Sequence, residues 1–294
     1  MHKTVRAEGW LDRYPVTWIN LQRERKRRRR MQAVLTKGGW AHYRFNAIDG
    51  RDPKHLFLAG ARPWQEAAVL PGLQRDSEAD PHRRTNRMEL ACLCSWQKLI
   101  ESLTHQTSPS GWFLLLEDDV GSSLAVPGQW PVSLEDMVNQ AGGQALAIQL
   151  APINGYVRQM LYQRWKVSEG REVVVPKEGV RSHGNGAVLL NQDAIPLLSR
   201  RIGQWIEQCF PKLHLLGHPR NVRPVADKWL YASLPPGSCW VSTFPLFCLE
   251  AETSSLHHEH VKSFHQASRG MTLKLWHEGG HQALLNAYQT WQNE

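Results

Sequence analysis

Three consecutive carboxylates, Glu117, Asp118 and Asp119, follow directly on the apolar run Leu114-Leu115-Leu116. Ionised carboxylates left unpaired in an apolar interior are costly, so acids in this position either face water or hold a cation. The run before them, opened by Gly111-Trp112-Phe113, has the length and turn signals of a parallel strand buried on both faces. In an open α/β sheet the carboxyl ends of such strands form the ligand crevice, which is where these acids fall. Asp49 sits at the end of a second strand-like stretch, Tyr43 to Ala47. There an acid can accept hydrogen bonds from a ribose or a base, and the local alternative is an ordinary Asp-Gly turn.

Cations concentrate in one place. The chain of 294 residues carries a net charge of +8, but positions 23–30 hold seven basic residues and one acid, and removing them leaves 28 basic against 26 acidic residues. Such a run can meet a nucleotide diphosphate, an anionic membrane surface or a nucleic acid, or form a solvated helix face. No nucleic-acid motif accompanies it, so nucleic-acid binding through Arg23 to Arg30 stands as an alternative.

The tail spells a second alternative. His277-Glu278-Gly279-Gly280-His281 matches the H-E-x-x-H of zinc hydrolases, which needs both histidines on one helical face. Its two glycines weaken such a helix by roughly 2 kcal/mol relative to alanine, and Glu294 is the sole third ligand that could follow.

The five cysteines, Cys92, Cys94, Cys209, Cys239 and Cys248, lack the paired spacing of a zinc site and read as reduced and mostly buried. A hydrophobic share of 41% and a charged share of 21% describe an ordinary globular chain. No stretch reaches the roughly 18 apolar residues that span a bilayer, and no apolar signal-peptide core opens the chain, so the expectation is a cytoplasmic protein.

The elements that must position these groups read as follows. Val16 to Leu21 forms a first strand, then a helix runs to about Leu35 with Met31, Val34 and Leu35 toward the sheet. Positions 59–84, rich in Pro, Gly and charge, form a long surface excursion. A helix from about Asn86 to Ser102 delivers the chain to the acidic strand. Core strands follow at Ala145 to Leu150, Val173 to Val175 and Val188 to Leu190, then a helix over Asp193 to Cys209 capped by Asn191 or Asp193.

Four motifs in order carry a family resemblance. Ile19-Asn20-Leu21 is followed by Arg27, Arg28 and Met31; Ala47-Ile48-Asp49-Gly50 forms a turn; Glu89, Cys92 and Ser95 fall on one helix; and Leu116 to Val120 reads L-E-D-D-V. Together they resemble glycosyltransferase family 25, which includes lipooligosaccharide galactosyltransferases and collagen galactosyltransferase domains. The resemblance covers roughly residues 16 to 255. Two departures stand out: Trp96 replaces the family's histidine, and small and aliphatic residues from Gly184 to Leu190 replace a glycine and aromatic.

The resemblance implies an α/β, GT-A-like, Rossmann-type mixed sheet flanked by helices. It places an N-terminal extension at 1–15, the transferase domain at 16–255 and a polar, helical tail at 256–294. It implies an inverting transfer of a hexose, galactose first, from a UDP-sugar to a hydroxyl of a glycan, lipid-linked or protein acceptor. Mn²⁺ or Mg²⁺ suits the all-oxygen ligands, with Asp119 on the metal and Glu117 or Asp118 on the ribose or on metal-bound water. Glu117 is also a candidate metal ligand. Asn20, Arg27, Asp49 and Ser95 are nucleotide-side candidates. His257, His258 and His260 are either a solvated polar tail or the source of a further metal ligand, since a C-terminal histidine serves that role in many GT-A enzymes. Pro224-Val225-Ala226-Asp227 resembles the family's P-x-D segment, where Asp227 is a helix N-cap or the base that activates the acceptor hydroxyl. Lipopolysaccharide biosynthesis, with peripheral contact at an anionic membrane face, completes the expectation.

Overall fold

The computed structural model describes residues 11–52, 87–209, 225–250 and 261–293. The excursion expected at 59–84, His257, His258 and His260 lie outside them.

The chain alternates strands and helices: β1 (Val16–Asn20), α1 (Arg25–Lys37), β2 (His42–Asn46), α2 (Arg87–Ser102), β3 (Trp112–Glu117), α3 (Leu134–Ala141), β4 (Ala147–Gln149), α4 (Gly155–Val167), β5 (Val174–Pro176), β6 (Ala187–Asn191), α5 (Ala194–Cys209), α6 (Ala226–Ala232), β7 (Cys239–Ser242), α7 (Ala267–Glu278) and α8 (Gln282–Asn293). A π-helical turn, Val261–Gln266, precedes α7. The seven strands form one mixed sheet in the order β2-β1-β3-β6-β4-β7-β5.

Burial on both faces explains the apolar run in β3. Leu114 and Leu116 belong to one core cluster while Phe113 and Leu115 belong to the other, because successive side chains of a strand point to opposite faces. The first cluster takes Met31, Val34 and Leu35 of α1, and the second takes α2 through Leu90, Trp96 and Leu99.

The sheet directions decide what meets the acids. β3 is parallel to β1 and antiparallel to β6, and β4 is antiparallel to β6 in turn. The carboxyl ends of β1, β2, β3 and β4 therefore share an edge with the amino end of β6. Residues 183–186 just before β6 lie beside the end of β3, where Glu117 N donates to Gly186 O at 2.8 Å.

Described residues on both flanks of the 16–255 stretch reach the core. Leu11 and Tyr14 join the first core cluster, as do Leu275 and Trp276 of α7 and Leu284 and Trp291 of α8. Spaced one turn or two apart, the apolar residues of α8 make a stripe that seals against the core. Among the described residues no helix is long and apolar enough to cross a membrane.

Candidate active site

The shared edge opens into a cavity of about 450 Å³ whose wall includes Asn20, Arg27, Asp49, Ser95, Glu117, Asp118, Asp119 and Asp227. These eight residues, from Asn20 to Asp227 in the chain, come to this one place, whereas Arg28, Met31, His277 and His281 do not line it.

The three consecutive acids are not equivalent. Asp118 is buried with both oxygens occupied: Oδ1 accepts from Arg27 Nη1 at 3.1 Å and Oδ2 from Asn20 Nδ2 at 2.6 Å. Asn20 is itself fixed, donating to Glu24 O at 3.2 Å and accepting from Arg44 Nη1 at 3.0 Å. Burial pushes the Asp118 carboxyl up to about 6, against the pull of Arg27 and with the repulsion of Asp119. Burial works against the Arg27 charge as well, but attraction to Asp118 and Asp119 outweighs it and raises its pKa.

Glu117 accepts from the indole Nε1 of Trp96 at 3.1 Å. The residue that departs from the family pattern thus supplies an N–H donor to the acidic cluster. Burial, then repulsion from Asp119, pushes the Glu117 carboxyl up to about 8, with the Trp96 hydrogen bond opposing the shift. Asp119 Oδ1 is buried and finds no hydrogen-bond partner among the described residues. Behind it lies Glu250, whose backbone N donates to Asp119 O at 2.7 Å and whose Oε1 accepts from Ser122 N at 2.8 Å. Burial pushes the Glu250 carboxyl up to about 8 too, with Asp119 adding to the shift, and its Oε2 has no hydrogen-bond partner among the described residues. Glu117, Asp118 and Glu250 thus all feel repulsion from Asp119, which a nearby cation would relieve. Among the described residues no three His, Cys, Asp or Glu side chains form a ready metal cage.

On the β1–β2 side, Asp49 Oδ1 accepts from Arg51 N at 3.0 Å and Oδ2 pairs with Arg23. Ser95 Oγ accepts from Ile48 N at 2.9 Å and donates to Ala91 O at 2.7 Å. Its hydroxyl is spent on pinning the Ile48-Asp49 turn to α2, so Ser95 shapes this wall through Asp49.

Asp227 occupies another part of the wall. It stands in the first turn of α6 with Val225 at the N-cap, so the helix-cap reading is corrected: a cap precedes the first turn, and Asp227 lies within it. Its Oδ2 accepts from Gly184 N at 2.7 Å and its Oδ1 from Lys228 N at 2.8 Å. His183 Nδ1 lies 3.8 Å from Oδ2.

His183 and His265 on this wall escaped the sequence reading, whereas Asn185, also on it, falls in the Gly184 to Leu190 run that departs from the family pattern. Asn185 Nδ2 and His265 Nδ1 are buried without partners among the described residues. The run His183-Gly184-Asn185-Gly186 carries a usable signal, because paired glycines around polar residues before a strand mark a backbone that turns tightly. Gly184 has φ +100°, and a Cβ there would meet Ala151 O at 3.0 Å.

The H-E-x-x-H segment does not form a zinc face. His277 lies in the last turn of α7, Gly279 and Gly280 break the helix, and His281 precedes α8. His281 packs edge-on against Tyr162 and Phe244, and its Nε2 lies 3.2 Å from the Tyr162 hydroxyl. Cys92 and Cys94 are free thiols whose pKa values burial raises.

No protein-family model matches the chain, and no curated protein matches it. Among solved structures, the chain is similar to the apo form of mouse xyloside xylosyltransferase 1, with 14% sequence identity over 77% of this chain and 83% of that one, at a TM-score of 0.34.

Proposed function

We propose that this protein is a GT-A-like glycosyltransferase that moves a hexose, galactose first among the candidates, from a UDP-sugar to an acceptor hydroxyl with inversion at the anomeric carbon. The observation that carries the reading is the division of labour at the end of β3: Asp118 is locked to Arg27 and Asn20, while Asp119 keeps a buried oxygen without a partner. The order of the four family-25-like motifs supports it, since all four fall on the wall of one cavity.

A divalent cation fits this donor set. Asp119 would hold it with Glu117 beside it, Mn²⁺ or Mg²⁺ being suited to oxygen ligands. When bound, the ion neutralises the charge that develops on the leaving diphosphate. Arg27 and Asn20 keep Asp118 from competing, and Asp49, anchored through Ser95 and Arg23, offers carboxylate oxygens to a ribose.

Asp227 is the base in this reading. Each of its oxygens takes one backbone N–H and retains a lone pair for the acceptor hydroxyl. As the hydroxyl oxygen bonds to the anomeric carbon, its proton passes to Asp227. The bond from that carbon to the diphosphate oxygen breaks, and the electron pair leaves with UDP. The acceptor class is a glycan, a lipid-linked saccharide or a protein side chain, and the exposed Arg25, Lys26 and Arg29 of α1 suit peripheral contact with an anionic membrane.

A screen of UDP-sugars for hydrolysis and transfer with Mn²⁺, paired with calorimetry of UDP with and without the ion, tests this. Turnover of one UDP-hexose and tighter UDP binding with Mn²⁺ are the expected results. Equal UDP affinity in EDTA would remove the metal, and no binding of any UDP-sugar would remove the reading.

A further inference from the structure

Lys177 lies just past β5, away from the acidic cluster, and its ammonium is fully engaged. Its Nζ donates to Gln149 Oε1 at 2.7 Å, to Ser182 O at 2.8 Å and to Ser182 Oγ at 2.6 Å, and it sits 4.4 Å from the centre of the Tyr231 ring. An ammonium has three hydrogens and no acceptor, so all three donors are spent.

The consequence travels through Gln149, which is completely buried. Its Oε1 accepts from both Lys177 and the Ser182 hydroxyl, which donates at 2.5 Å. A side-chain amide has one oxygen and one NH₂, so two donors on one side fix its orientation. Turning the amide over would set its NH₂ against an ammonium. The NH₂ therefore faces the other way, where Nε2 donates to Gly184 O at 2.5 Å.

Gly184 is the next link. At φ +100° it holds a conformation open to glycine, and glycine has others of similar energy. The anchor on its carbonyl selects the one that aims its N–H at Asp227 Oδ2, 2.7 Å away.

We infer that Lys177 and Gln149 are positioning residues for Asp227: the cation sets the amide, the amide sets Gly184, and Gly184 N–H sets the carboxylate. Lys177 also attracts Asp227 directly, although burial, the larger influence, lowers the lysine pKa to about 8. A separate bond, from Ile153 N to His183 O at 2.8 Å, steadies the same loop. Breaking the relay therefore misaligns the base without removing it. This inference rests on Asp227 being the base.

The test is a cycle of Lys177→Met, Asp227→Asn and the double variant, read as kcat, donor KM and UDP affinity. Lys177→Met is expected to lower kcat roughly 10- to 100-fold, the scale of a small misplacement of a catalytic group, with donor KM and UDP affinity unchanged. In the Asp227→Asn background it is expected to cost nothing further, since the group it positions is gone. A structural role would cost the same in both backgrounds and would overturn the inference, as would an unchanged kcat in Lys177→Met. A wild-type rate in Asp227→Asn would instead overturn the base assignment. Should Lys177→Met fail to fold, Gln149→Met breaks the same path one link nearer Gly184 and is judged by the same criteria.

Discussion

Arg27 and Asp118 form an ion pair at 3.1 Å, with side chains only 17% and 11% exposed, while the buried Oδ1 of Asp119, the next residue along the chain, has no hydrogen-bond partner among the described residues. Neighbouring acids of identical chemistry are thus assigned opposite roles by one guanidinium. Asp118 contributes to the fold, and Asp119 keeps a buried oxygen that no described residue satisfies.

Replacing each acid separates the roles. Asp118→Asn strands the buried Arg27 charge, and breaking such a pair from one side costs about 3–5 kcal/mol, so chemical denaturation should show a large loss of stability. Asp119→Asn removes repulsion from Glu117 and Glu250, so stability in EDTA should hold or rise. Donor binding and turnover should fall, with partial rescue at high Mn²⁺. Equal destabilisation by the two changes would sink the division.

Much of this site was legible because its motifs lie at strand ends that apolar patterning exposes. β1, α1, β2, α2 and β3 each fall close to the expected bounds, since runs such as Leu114 to Leu116 and the spacing of Met31, Val34 and Leu35 are decided locally. Which acid is paired was not legible. Arg27 and Asn20 reach Asp118 across 91 and 98 positions, and nothing in E-D-D distinguishes its members. The place of His183 and Gly184 depends on β6 running antiparallel to β3, a relation set by the whole sheet. α4 was missed for a different reason: it leaves Tyr156 and Val167 exposed, which blurs its helical stripe.

The basic run is equally divided by the fold. Arg23 pairs with Asp49, and Arg30 donates to Gln292 O at 3.3 Å beside the Trp291 ring, so these serve the structure. Arg25, Lys26 and Arg29 are exposed. At roughly 1 kcal/mol per basic residue near an anionic bilayer, changing these three to Ala should weaken binding to phosphatidylglycerol vesicles by about 100-fold, with UDP affinity unchanged. Vesicle binding that survives the triple change would refute the membrane role, and a footprint on one defined nucleic-acid sequence would favour the alternative.

His281 gives the stability a pH dependence of known sign. Burial lowers its pKa from 6.5, so below about pH 6.5 the unfolded chain takes up a proton that the folded chain resists. Stability contributed by the neutral ring is present above the unfolded pKa and is lost as pH falls through the folded one. His281→Phe, at a site walled by Tyr162, Trp165 and Phe244, should flatten the loss between about pH 7 and pH 5 in urea titrations. Identical slopes in the two proteins would show that His281 is not responsible. The same variant should retain transferase activity, which a zinc role for the H-E-x-x-H segment forbids.

Asp227→Asn distinguishes a base from a structural acid, and its two hydrogen bonds set what must be controlled. Gly184 N–H and Lys228 N–H each donate to a different oxygen of Asp227, but an Asn offers one oxygen and one NH₂. One backbone donor then faces another donor, at a cost of about 1–3 kcal/mol for the unsatisfied group. The substitution is therefore expected to lower the melting temperature modestly even if chemistry is untouched, and rates must be compared per folded molecule well below that temperature. On that basis the loss of the base should lower transfer roughly 10²–10⁴-fold while UDP binding stays near normal. A structural acid predicts the stability loss alone. Transfer within a few-fold of wild type in the folded Asn variant would move the base elsewhere on the wall, and His183, 3.8 Å from Asp227, is the next group to replace.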